Sequence, residues 1–186
     1  ADPKEFLPRN PKNYFLASAH WRPHKRLKNT CTGFIRALER GLDSDLIVAG
    51  DTKKEVKHDR IKYVGWQKPR ELNKLLSECI AFIHLAHCDW TPNGIIEATV
   101  SGTTPTIYSD SGGSAEIGEG IAIPDKQWDF KTPFRLYHPP HLDDDKIADA
   151  MIELKKHPIE LKERKDLHIK NVAKKYLDFF ESVLKL

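Results

Sequence analysis

The chain lacks any stretch approaching the roughly 20 consecutive apolar residues of a membrane-spanning helix. Its longest apolar run, Cys79-Ile80-Ala81-Phe82-Ile83, stops at His84 and reads as a buried strand. Cysteine is scarce: Cys31, Cys79 and Cys88 are the only three. They include no Cys-x-x-Cys pair, which argues against a zinc knuckle or a disulfide framework and for reduced thiols in a cytoplasmic protein. Charge of one sign is also scarce. Thirty basic residues against 27 acidic ones leave +3, too little to point to nucleic acid. No Gly-x-Gly-x-x-Gly follows any strand-like run, which weighs against a dehydrogenase-type dinucleotide site. The chain begins Ala1-Asp2-Pro3 without methionine or a signal peptide, as expected of a processed chain or a fragment.

What is present is an alternation of short β-rich runs and helical patterns, the signature of an α/β domain with a parallel sheet covered on both faces. Strands are expected at Tyr14–Ser18, Leu46–Gly50, Ile61–Gly65, Ile80–Leu85, Thr104–Tyr108 and Gly120–Ile123. Helices are expected from Thr30 to Arg40, from Pro69, from Thr91-Pro92 to Gly102, at Ser114–Ile117, from Asp143 to about Lys156, and from Pro158 onward. Capping residues, first-turn prolines and exit glycines mark these bounds. In the last helix Leu161, Leu167, Val172, Tyr176, Phe179, Phe180 and Val183 are spaced as one apolar face. Lys162, Lys165, Lys170 and Lys174 lie opposite. A membrane-surface role is conceivable, but packing on its own domain or crossing to a further one is the preferred reading. The 186 residues are read as one Rossmann-like domain, with a lead-in at 1–13 and C-terminal helices at 143–186.

Two segments carry chemistry. Asp89-Trp90-Thr91-Pro92-Asn93-Gly94-Ile95-Ile96-Glu97-Ala98 places two acids around a helix start, and Ser111-Gly112-Gly113-Ser114 opens a second helix one strand later. Ligands of open parallel sheets sit beyond the carboxyl ends of the strands, where helix N-termini favour anions. Free amides are expected at Asn93, Gly94 and Ile95 and around Gly113 and Ser114. Glycines at 94, 112 and 113 would let an oxyanion approach the backbone, although tight turns alone would also explain them. Glu97 could accept two hydrogen bonds from a vicinal diol. His84, His87, Cys88 and Asp89 could be imagined around a zinc ion, but packing and hydrogen bonding explain them better.

This arrangement resembles the C-terminal, donor-binding domain of retaining GT-B glycosyltransferases, the large family 4 group. That group carries two glutamates separated by seven residues, the second followed by Ala, a small residue and Gly. Glu97-Ala98 and Ser101-Gly102 match, with Asp89 in place of the first glutamate. Ser111-Gly112-Gly113-Ser114-Ala115-Glu116 resembles the group's Gly-Gly-x-x-Glu segment. Ala19-His20-Trp21-Arg22-Pro23-His24-Lys25-Arg26 resembles its Gly-Arg-x-x-x-x-Lys-Gly diphosphate loop, with His20 where arginine is usual and Arg22 as its possible substitute. The likeness runs from about Tyr14 to Ile123.

The resemblance implies a nucleotide-diphosphate sugar, with a UDP or GDP base, as substrate for retaining hexosyl transfer. No cofactor and no metal would be needed, and a missing N-terminal GT-B domain would hold the acceptor. Lys25 would neutralise the diphosphate and stabilise the leaving group, and Asp89 would contact the transferred sugar. Glu97 would bind the ribose hydroxyls. Gly94, Ile95, Gly112 and Gly113 would support sugar and phosphates, with His20 or Arg22 assisting, while Gly65 and Trp66 would border the base. The alternative is a non-catalytic nucleotide-sugar-binding module with a degenerate site. Location is expected to be cytoplasmic, with the cytoplasmic membrane face as a variant.

Overall fold

The structure is a computed structural model that describes residues 4, 6–53, 55–100, 104–129, 131, 133 and 138–184. Six strands form one parallel sheet: β1 (Tyr14–Ser18), β2 (Asp45–Ala49), β3 (Ile61–Gly65), β4 (Phe82–His84), β5 (Thr106–Ser109) and β6 (Gly120–Ile123), in the order β3-β2-β1-β4-β5-β6. This is the doubly wound order, with its topological switch between β1 and β4. All six strands fall within two residues of the expected positions.

Alternation along β1 explains why both faces are covered. Phe15 and Ala17 enter a core with Leu27, Phe34, Ile147 and Met151, contributed by α1 (Leu27–Glu39) and α5 (Asp144–Lys156). Tyr14 and Leu16 point the other way, to Leu76, Cys79 and Ala98, on or beside α2 (Pro69–Glu78) and α3 (Asn93–Val100). Side chains at successive strand positions face opposite sides, so a central strand of this sheet must be apolar throughout. The short α4 (Ser114–Ile117) follows β5. Asp143 caps α5 as expected, accepting from the amides of Asp145 and Lys146, and the helix ends at Lys156.

Three helix expectations change. α1 begins at Leu27 rather than Thr30, because Leu27 is buried and Arg26, in a left-handed conformation, forms the entry. α3 begins at Asn93, with Thr91 and Pro92 both outside it; its expected exit at Gly102 lies outside the described residues. The last helix, α6 (Ile169–Leu184), starts well after Pro158. Between them the charged run Lys162-Glu163-Arg164-Lys165-Asp166 offers no apolar stripe. Arg164 there bonds Glu119 at 2.9 Å and Asp166 at 2.8 Å. Leu161 and Leu167 therefore fall outside α6. Its remaining apolar face is not packed on this domain, since no residue of α6 is buried and Phe179 and Phe180 are 59% and 54% exposed.

Candidate functional site

The loops after β1, β4 and β5 rise from the carboxyl edge of the sheet at the switch point. Beside β1, a narrow cavity of about 120 Å³ is lined by Ser18, Leu72, Leu76, Phe82, Gly94 and Glu97. Glu97 lies in the second turn of α3 and faces this crevice. It accepts no hydrogen bond among the described residues, and burial pushes its carboxyl upward from the ordinary carboxylate range. A half-buried carboxylate that accepts no hydrogen bond among the described residues can serve as an acceptor site.

Across the β1 and β4 loops the acids behave differently. Lys25 ends a single 3₁₀ turn at Pro23–Lys25, and its Nζ lies 2.5 Å from Asp89 Oδ2. The same oxygen lies 3.0 Å from His84 Nε2. Burial works to raise the Asp89 carboxyl, but hydrogen bonds from His84 and Lys25, with the Lys25 charge, outweigh it and hold the group well below the usual carboxylate range. Burial lowers the pKa of the His84 imidazole. The neutral ring then donates from Nε2 to Asp89. The sequence-identified Lys25 and Asp89 are thus brought together, and each is satisfied by the other.

The glycine-rich loops are engaged with one another. Asp89 pairs with Gly112 in an isolated parallel bridge, and the Gly113 amide donates to the Asp89 carbonyl at 2.8 Å. Gly112 takes φ +61°, and a Cβ on Gly113 would stand 2.4 Å from the Trp90 carbonyl oxygen, so both positions require glycine for loop contact. The expected free amide at Gly113 is therefore already used. At α3 the Asn93 amide donates to Thr91 and the Ile95 amide to Pro92, and among the described residues the Gly94 amide donates to none. A Cβ at Gly94 would meet the Phe82 ring at 2.9 Å, so this glycine lets the helix start close onto β4.

The other sequence-identified residues are spread along the same edge. His20 and Arg22 line a separate cavity of about 740 Å³ with Trp21, Lys28, Asp51 and Lys53, and are not brought into the Glu97 crevice. Gly65 ends β3, and Trp66, 67% exposed, donates its amide to Asp51 Oδ1 at 3.2 Å. His84 and His87 turn to different carboxylates, Asp89 and Asp125. Among the described residues no three His, Cys, Asp or Glu side chains converge as a metal set.

One cluster was not expected. Arg26, next to Lys25, takes φ +54°, a conformation that costs an L-residue roughly 1–2 kcal/mol. Its buried guanidinium bonds Asp125 through two nitrogens at 2.7 and 2.9 Å. It also donates to the carbonyls of Leu85 at 3.1 Å and Pro140 at 3.0 Å. Asp125 accepts from Ser109 and Ser111 at 2.7 and 2.8 Å. Burial opposes ionisation of Asp125, but the Arg26 hydrogen bond, with those from Ser109 and His87, holds its carboxyl well below the usual range. Arginine in a position where the resembled loop has glycine was the available signal. Nothing local to Asp125 revealed its partner.

A doubly wound parallel sheet with a crevice at its switch point defines the class: a Rossmann-like α/β domain. Comparison with sequence families and with curated proteins found no match to this chain. Solved structures do match in fold. The chain superposes on AviGT4, a glycosyltransferase involved in avilamycin A biosynthesis, with a TM-score of 0.60 and 19% identity, covering 100% of this chain and 57% of that one. Against the pneumococcal O-GlcNAc transferase GtfA, in complex with UDP and GlcNAc, the TM-score is 0.69 at 16% identity, covering 98% and 37%. Against the C-terminal domain of LpcC, a glycosyl transferase group 1 family protein from Francisella tularensis, it is 0.63 at 15% identity, covering 84% and 88%. The chain thus has the fold of the C-terminal, Rossmann-like half of GT-B glycosyltransferases, and spans about half or less of the first two proteins.

Proposed function

We propose that the chain is the donor-binding part of a glycosyltransferase, holding a nucleotide-diphosphate sugar at the switch-point crevice for retaining, metal-independent transfer of a hexose. The observation that carries this reading is Glu97. It is a half-buried carboxylate that accepts no hydrogen bond among the described residues, beside the Gly94 amide, which donates none among them, and at the sheet edge where ligands bind in this fold class. Its two oxygens would accept the ribose hydroxyls, and Gly94 would donate to a phosphate or sugar oxygen. Gly65 and Trp66 would border the base. Lys25 would leave Asp89 for the diphosphate. When the bond between the anomeric carbon and the phosphate oxygen breaks, the electron pair moves to that oxygen, and Lys25 would stabilise the charge that develops. Asp89, freed of Lys25, would accept from hydroxyls of the sugar. Ile95, Gly112 and Gly113 would then act through the shape of their loops, since the Ile95 and Gly113 amides are occupied. His20 or Arg22 would reach the diphosphate only by movement of the loop after β1.

The match to AviGT4 and GtfA over part of their length supports a second, N-terminal domain that carries the acceptor. The uncovered apolar face of α6 is a surface such a domain would cover. A cytoplasmic setting fits the sparse cysteines. The expected test is calorimetric titration of the chain with UDP-, GDP- and ADP-sugars. One of these should bind, and Lys25→Ala should weaken it. Absence of binding across the panel would remove the reading.

A second reading, a nucleotide-sugar-binding module without transfer, is favoured by one observation: Lys25 is already neutralised by Asp89 at 2.5 Å. Sugar transfer by a protein containing this chain, abolished by Lys25→Ala, would exclude it.

A further inference from the structure

The Arg26–Asp125 pair lies outside the crevice, yet its bonds reach each loop that carries the site. Arg26 directly follows Lys25. Asp125 leaves β6 and accepts from Ser109, Ser111 and His87 Nδ1, the last at 3.1 Å. Ser111 in turn accepts from the backbone amide of Cys88 at 3.0 Å, the residue directly before Asp89. The Arg26 guanidinium also holds the carbonyls of Leu85, after β4, and Pro140, on the approach to α5. Both charged side chains are 1% exposed. Lys25 therefore stands one residue from the buried ionic pair, and Asp89 two residues from His87, which bonds Asp125.

Burying two charges is not in itself a stabilising choice, because apolar residues of similar volume often serve as well or better. The position is costly in another way, since Arg26 occupies a left-handed conformation that glycine would adopt freely. A chain that retains both features here gains something other than a filled core. From this geometry we infer that Arg26 and Asp125 are positioning residues: their buried pair fixes the β1 and β4 loops so that Lys25 and Asp89 meet. Neither lines the Glu97 crevice, and Arg26 forms part of the wall of the larger cavity that His20 and Arg22 line. The inference rests on reading Lys25 and Asp89 as donor-site residues only for its functional meaning; the positioning itself is a property of the protein without ligand.

That property has a direct readout. The Asp89 carboxyl is held below the ordinary range by Lys25 and His84 on its carboxylate, and His24 also feels its charge. Carboxyl-carbon NMR of the full chain, followed as a function of pH, reports this contact residue by residue. The double variant Arg26→Gly with Asp125→Asn removes both charges and leaves neither buried alone. The inference expects the Asp89 titration to rise towards the ordinary value of about 3.9. Arg26→Lys, which keeps charge without the two-pronged fork, should lie between. One backbone bond, His87 amide to His24 carbonyl at 2.8 Å, joins the same loops and survives in every variant, so a shift rather than complete loss is expected.

Should the double variant not fold, Ser111→Ala alone cuts the link to Cys88 and should raise the Asp89 titration by a smaller amount. An Asp89 titration unchanged in the folded variants, even with lowered stability, would make the pair purely structural and overturn the inference. Calorimetry with UDP, GDP and ADP on the same samples separates the two ideas. Absence of nucleotide binding by the unmodified chain counts against the donor site, while the Asp89 titration still decides the positioning role.

Discussion

The two sides of the switch point use their charges in opposite ways. On the α2–α3 side, Glu97 sits in a narrow crevice with no hydrogen bond among the described residues, and burial pushes its carboxyl upward. Across the β1 and β4 loops, Asp89 and Asp125 are each surrounded by donors, and their carboxyls are held down. A carboxylate that the fold satisfies contributes to folding, whereas one left unsatisfied in a crevice opposes it and is explained by what it can bind. Glu97 is therefore the better pointer to a ligand, and the Asp89–Asp125 side the better pointer to how the loops are held.

Substitution should separate the two sides most sharply through stability. Arg26→Leu leaves Asp125 buried without its cation and should cost about 3–5 kcal/mol in denaturant unfolding, whereas Glu97→Gln should change stability by no more than about 0.5 kcal/mol. A large loss from Glu97→Gln would erase the distinction. For binding the order reverses. Removing hydrogen bonds to a charged group typically costs about 1.5–3 kcal/mol, so Glu97→Gln should weaken a nucleotide-sugar by about 10- to 150-fold in calorimetry.

The pH dependence of stability should differ in sign. Asp89 and Asp125 have depressed values in the folded state, so their contribution is present above the unfolded value of about 3.9. It is lost as pH falls through the depressed range. Glu97 has a raised value, so the folded state holds its proton more tightly than the unfolded chain. Its ionisation opposes folding at neutral pH, and the opposition fades as pH falls through the raised value. Glu97→Gln should thus be slightly stabilising at pH 7 relative to pH 4, and Asp89→Asn should flatten the acid limb. Chemical denaturation at a series of pH values measures both.

The smallest effect is expected far from the crevice. Phe179→Ser with Phe180→Ser should leave the unfolding midpoint of the chain nearly unchanged, because both rings are more than half exposed. It should reduce self-association seen by sedimentation, since an uncovered apolar face promotes it. A marked drop in stability would mean that α6 packs on this domain after all.

The strands were legible because each is a short apolar run bounded by turn residues, and Asp143 was legible as a cap because a side-chain oxygen before a periodic segment has one common use. Asp89 and Glu97 stand out by their spacing around Pro92-Asn93-Gly94 and Lys25 by its loop's resemblance to a diphosphate loop; the structure joins Lys25 to Asp89 and sets Glu97 in the crevice. What sequence did not reveal is pairing. The Gly113 amide was expected to be free, but the neighbouring loop takes it, a contact between segments about 24 positions apart. The Arg26–Asp125 bond spans 99 positions, and no local pattern encodes such a separation. The apolar period of α6 was read correctly from Val172 onward, but periodicity states that a face is apolar, not what covers it.

Glu97 is proposed as an acceptor for the hydroxyls of a bound nucleotide. Its most direct test compares the ribo- and 2′-deoxy forms of the preferred nucleoside diphosphate by titration calorimetry, on the unmodified chain and on Glu97→Gln. The unmodified chain should bind the ribo form several-fold more tightly, and Glu97→Gln should lose this preference while still binding. Equal affinity for the two forms in the unmodified chain, or a preference that survives Glu97→Gln, would contradict it.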